Sequence, residues 1–168
     1  MKTSGANAAA LKDLEVLPSL RMAAAGSLVL TLFTDTTAKD LDAMVAQLPR
    51  VATQNDGHLT MIHLVRVGEG QGKISDELRK KAHEIITAVR PSCRGSGTVI
   101  LGSGLAATII RMFLTGFVLV TKAPFPQRSF ATVAEALAWA RELPGQKADV
   151  LAVTAEQVHA HFELGPVK

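Results

Sequence analysis

Two rhythms of apolar positions run along this chain. Ser27–Thr34 (SLVLTLFT) is apolar at successive positions and carries β-branched residues, the pattern of a central strand covered on both faces. Leu41, Met44, Val45 and Leu48 then recur at helical spacing. Thr37 and Asp40 are placed to cap that helix, and Pro49 lies near its end. The cycle repeats. Asn55-Asp56-Gly57 makes a turn, His58–Val67 (HLTMIHLVRV) a strand, and Gly68, Gly70 and Gly72 a flexible loop. Ser75 is a good N-cap, with Asp76 and Glu77 in the first turn, where the helix dipole favours anions. Leu78, Ala82, Ile85, Ile86 and Val89 form the buried stripe of that helix, which Arg90-Pro91 ends.

Thr98–Leu101 (TVIL) gives a short third strand, and Gly102-Ser103-Gly104 turns into an apolar helix from about Leu105 to Thr115. Gly116 leads into a strand over Phe117–Thr121, and Pro124 and Pro126 mark a loop. A last helix over Val133–Leu143 opens with Thr132 and Glu135 at capping-box spacing, buries Val133, Ala136, Leu137 and Ala140, and stops at Pro144-Gly145. Leu11–Val16, before Pro18, suits a short strand or a helical turn. The resulting β-α-β-α-β-α-β-α order predicts an α/β fold. Its sheet has four to five mostly parallel strands, flanking helices and room for an antiparallel edge strand near the N-terminus. Residues 1–10 are small and polar and read as disordered, residues 11–145 as the domain. Residues 146–168 read as a C-terminal tail with one short helix, capped by Thr154 with Gln157 three positions on.

Composition narrows the classes. With 168 residues the chain suits one domain. Apolar residues make up 48 % but aromatics only 4 %, so the core is aliphatic. The net charge of +3 lacks the dense basic stripe of a nucleic-acid binder. The lone Cys93 forms no intramolecular disulfide, which suits a reducing cytoplasm. No secretory signal is visible at the start, and the apolar run Leu105–Val120 is shorter than the roughly 20 residues of a membrane span and carries Arg111.

Candidate chemistry is sparse. Gly102-Ser103-Gly104-Leu105-Ala106-Ala107 fits G-x-G-x-x-A after a strand, so its N–H groups are candidates for an anion-binding turn. It comes late in the fold, and no acidic residue about 20 positions on would hold a ribose. The plainer reading, and the favoured one, is a tight turn that lets a helix pack closely on the sheet. Ser75 reads as a helix cap first. As a phosphosite it would put about two negative charges at a helix start beside Lys73, Asp76 and Arg79. Lys73, Arg79, Lys80, Lys81, Arg90 and Arg94 form the densest basic stretch, which Asp76, Glu77 and Glu84 reduce from six positive charges to +3. A solvated helix face accounts for it. His63 shares a strand face with Met61 and Val65, as a satisfied core histidine would. His159 and His161 diverge by about 200° on a helix and make a poor metal pair. No nucleophile–base pair, metal motif or phosphate loop can be assembled, so no cofactor and no enzymatic activity are expected.

The element order, the segment Lys73-Ile74-Ser75-Asp76-Glu77-Leu78-Arg79-Lys80 and the closing Phe130…Glu135-Ala136-Leu137-Ala138-Trp139 together resemble the STAS fold of bacterial anti-sigma-factor antagonists, and more closely its STAS-like relatives. The resemblance spans about residues 25–143. In those antagonists a strand runs into an Asp-Ser-Ser-Gly-like segment whose serine a partner kinase phosphorylates. Here Ser75 holds a comparable helix-start position without that motif. The resemblance implies a non-catalytic, cytoplasmic regulatory or protein-interaction module, with a protein partner, no nucleic acid and no membrane span. An apolar helix over Leu105–Thr115 needs deep burial or a covering partner, which points to homodimerisation or a protein-binding face. The alternative implied by STAS-like and lipid-transfer relatives is a domain that binds a lipid or an anionic nucleotide between the sheet and that helix.

Overall fold

The computed structural model describes residues 10–67, 75–112 and 122–166. The expected Gly68–Gly72 loop, Lys73, the strand over Phe117–Thr121 and the N-terminal residues 1–9 lie outside them.

Six strands form one sheet: β1 (Lys12–Val16), β2 (Leu20–Ala25), β3 (Leu28–Phe33), β4 (Leu59–Arg66), β5 (Cys93–Leu101) and β6 (Gln127–Phe130). They lie in the order β1-β2-β3-β4-β5-β6. The first three pair antiparallel, and β3 to β6 run parallel. The fold is therefore α/β with a mostly parallel sheet, and the strand count exceeds the four to five expected. Two strands were illegible. β2 is alanine-rich and lacks β-branched residues, so it has little strand propensity of its own. Pairing over its full length, from Leu20 opposite Phe33 to Ala25 opposite Leu28, makes it a strand. β6 is short and polar, and among the described residues it pairs only with β5 and lies at the sheet edge.

β5 starts five residues earlier than the TVIL run, at Cys93. Gly95 and Gly97 weaken the strand signal there, but they give room to the neighbouring layer. A Cβ on Gly95 would stand 2.6 Å from Leu143 Cδ1 and 2.9 Å from Trp139 Cη2. Gly95→Ala should gain up to about 1 kcal/mol from the restricted unfolded chain. Overpacking against the tryptophan costs about 1–3 kcal/mol. A net loss near 1–2 kcal/mol in urea denaturation is expected, and a stabilised variant would show that the α4 layer is loosely seated.

Five of the helices are α1 (Ala38–Gln54), α2 (Asp76–Val89), α4 (Val133–Glu142), α5 (Ala148–Ala152) and α6 (Ala155–Phe162), and α3 is helical over the described residues 105–112. Capping boxes close the starts of α1 at Thr37/Asp40, α4 at Thr132/Glu135 and α6 at Thr154/Gln157. α1 continues five residues past Pro49, where the sequence suggested an end. Val51 and Ala52 are buried beyond the proline, and their packing offsets the missing backbone hydrogen bond. Asp40 also accepts from Ser19 Oγ at 2.6 Å, tying the β1–β2 turn to the start of α1. Partial burial works against its ionised form, but bonds from Ser19 and Thr37 outweigh it and hold the carboxyl below its usual range.

Parallel strands that follow in sequence order, joined by crossovers of one hand, put successive crossover helices on one face. α1 and α2 share such a face, where Leu41, Met44, Leu48, Ile85 and Val89 cover Val29, Leu59 and Met61. The opposite face carries the C-terminal helices. Leu28, Leu30, Leu32, Ile62, Leu64 and Val99 pack there with Leu137 of α4, Val150 of α5 and Val158 and Phe162 of α6. The segment expected as a tail with one helix therefore holds two, and both complete the core. Asp149 of α5 fastens this layer to the β2–β3 turn, accepting from the Ser27 N–H at 2.9 Å. The turn needs Gly26, at φ +55°, because a Cβ there would land on the Asp149 carboxylate.

Candidate functional site

The parallel register sets the turn Gly102–Gly104 beside the end of β4. Arg66 at the end of β4 lies level with Leu101 at the end of β5, and the Val67 N–H donates to the Leu101 carbonyl at 3.3 Å. The two strands thus end side by side, and β5 runs on into Gly102–Gly104.

Ser75 is the exposed N-cap of α2 and its Oγ accepts from the Leu78 N–H at 3.1 Å. Asp76 pairs with Arg79 at 3.4 Å on the helix surface. Lys73 lies outside the described residues. Part of the basic stretch is matched locally. Lys81 bridges Asp42 at 2.8 Å and Glu84 at 2.9 Å, and these two bonds raise its ammonium above the usual lysine range. Arg94 donates to His58 Nε2 at 2.9 Å.

Gly102 and Gly104 adopt φ of +134° and +89°, backbone that only glycine takes without strain. Ser103 between them is exposed. The Thr108 N–H and Oγ1 both donate to the Gly104 carbonyl at 3.1 Å, which starts α3. α3 buries Ala107 but turns Leu105, Ile109 and Met112 outward, at 77 %, 39 % and 70 % exposure. These positions are i, i+4 and i+7, one stripe of the helix.

A second constellation escaped sequence reasoning. Across the α1–α2 face of the sheet, Thr31, His63, Thr98 and Ser129 stand level on β3, β4, β5 and β6. Met61, Ser96 and Gln127 form the adjacent row. Thr31 Oγ1, His63 Nδ1 and Gln127 Oε1 are buried and have no hydrogen-bond partner. His63 was expected to be a satisfied core histidine, and in this respect the structure corrects the sequence reading. Its ring packs 5.6 Å from that of Phe33, and a strand face lined by Met61 and Val65 supplies no polar partner. Burial pushes its pKa from 6.5 down to about 4, so the imidazole is neutral. Register alone reveals this row, and register was not readable from a single strand.

The remaining candidates are occupied structurally. His161 Nε2 meets Asp13 Oδ1 at 2.8 Å, and His159 Nδ1 meets the Gly165 carbonyl at 2.9 Å. Cys93 is buried, its thiol donates to the Gly95 carbonyl, and burial raises its pKa to about 12, so it is a poor nucleophile. Among the described residues no group of His, Cys, Asp and Glu could hold a metal ion, and no helix is long and apolar enough to cross a membrane. No protein-family model, no curated protein and no solved structure matches this chain.

Proposed function

We propose that this chain is a non-catalytic, cytoplasmic regulatory module of STAS-like type that docks a second copy of itself through the outward stripe of α3. The observation that carries this reading is the exposure of Leu105, Ile109 and Met112 together on one uncharged stripe. Single exposed apolar residues are ordinary, whereas a contiguous set marks an interaction surface. A second copy presents the same uncharged stripe, and a twofold axis through it makes a self-complementary contact.

Leu105→Glu/Met112→Glu should convert the protein from a dimer to a monomer, read by light scattering at tens of micromolar. A wild-type protein that is monomeric there, or a double variant that remains dimeric, would remove this reading. The polar rows on the α1–α2 face favour a second reading, the binding of a small lipid or nucleotide against the sheet. Native mass spectrometry of the same wild-type preparation separates the two. A dimer without bound mass supports the interaction module, and a monomer with a retained ligand supports the binding domain.

A further inference from the structure

A cavity of about 150 Å³ opens at the C-terminal end of β3 and β4, on the face opposite α1 and α2. It is lined by Ser19, Leu20, Arg21, Leu32, Thr34, Arg66, Phe162 and Glu163, with Pro18 at its margin. Its volume is well above the roughly 10–15 Å³ that one water needs. Arg21 and Arg66 reach it from strands on either side of β3. Arg21 shares a face with Ala23 and Ala25, and Arg66 with Ile62 and Leu64, the residues of the core under α4 and α6.

The two arginines differ in how they are held. Arg21 Nη2 donates to the His161 carbonyl at 3.1 Å, and its guanidinium stands 5.6 Å from the Phe162 ring centre. That fixes the group, yet its Nε is buried and has no partner. A buried guanidinium N–H without an acceptor is an uncommon feature, because such groups are normally satisfied. Arg66 is exposed, and no described residue is its hydrogen-bond or ion-pair partner. Thr34 also lines the wall, as does Ser19, whose hydroxyl is committed to Asp40. Among the described residues of the wall Glu163 is the only carboxylate, so two guanidinium groups less one carboxylate leave these a net +1.

We propose that this cavity binds a small oxyanion, the carboxylate or phosphate group of a ligand, between Arg21 and Arg66. A guanidinium held in place beside an exposed one suits the planar, two-toothed recognition that carboxylates and phosphates accept. The site is independent of the α3 stripe, so its failure leaves the dimer reading standing.

The test is calorimetric titration of the full chain with inorganic phosphate and with acetate, against chloride at matched ionic strength. One anion per chain should bind, with chloride giving no specific heat. Phosphate alone binding identifies a phosphate site, acetate alone a carboxylate site, and both a general oxyanion site. Arg66→Gln should weaken binding at least tenfold, and Glu163→Gln should tighten it severalfold by removing the opposing carboxylate. Arg66 is exposed and unpaired among the described residues, so its replacement leaves folding intact, as matching urea curves would establish. The proposal is overturned if neither anion binds above chloride, or if Arg66→Gln binds as the wild type does.

Discussion

Replacing Phe162 with alanine should cost about 3–5 kcal/mol, a large share of the roughly 5–15 kcal/mol that holds a domain of this kind together. Phe162 is the last residue of α6, is 1 % exposed, and is among the largest fully buried side chains. It packs with Leu30, Leu32 and Leu64 of the sheet and with Val158 of its own helix. His161 meets it edge-on, with ring centres 5.1 Å apart at 70°. Arg21 lies over its ring. Truncation leaves a void that surrounding strands, fixed by their hydrogen-bond ladders, fill poorly. The measurement is urea denaturation of wild type and Phe162→Ala. A loss below about 1 kcal/mol would mean that α6 detaches from the cooperative unit, and the last two helices would then be an appendage.

Stability should fall by about 2–3 kcal/mol between pH 7.5 and about pH 4.5 on account of His63 alone. The imidazole takes a proton near 6.5 when the chain is unfolded, but only near 4 when it is folded, because burial excludes its charged form. Between those values the unfolded state binds more protons, so acid favours it. The contribution is fully present above about pH 7, declines as the pH falls through 6.5, and levels off below about 4. Asp40 and Asp56, whose carboxyls are lowered in the folded protein, also weaken it in acid. His63→Phe isolates the histidine, since an aromatic ring is retained beside Phe33. Urea midpoints at the two pH values should then differ less in the variant than in the wild type. Equal losses in both would show that His63 is open to solvent.

Much of the architecture was legible, for local reasons. A capping box needs only two side chains three positions apart, so Thr37/Asp40, Thr132/Glu135 and Thr154/Gln157 could be read from the chain and are formed as expected. The apolar stripe of α1 and the continuous run of β3 likewise report their own periodicity. What escaped was structure imposed from outside a segment. The sequence LRMAAA becomes β2 because β3 pairs with it. Gly95 and Gly97 read as breaks in β5, yet they admit Trp139 and Phe130, whose rings stand 5.3 Å apart. In the candidate site, the roles of Ser75 as a cap and of Gly102 and Gly104 as turn formers were legible. The place of Gly102–Gly104 beside the end of β4 followed from the parallel register of β4 and β5.

The sequence by itself determined where helices begin, which positions along each are apolar, and that strands and helices alternate. These are interactions between residues a few positions apart, and their geometry is settled by backbone periodicity. Only the tertiary structure decided that Thr31 stands beside His63, and that Arg21 and Arg66 share one cavity. Each such pair lies more than thirty positions apart in the sequence. Strand order and register choose those neighbours, and a one-residue slip would send every side chain of a strand to the other face.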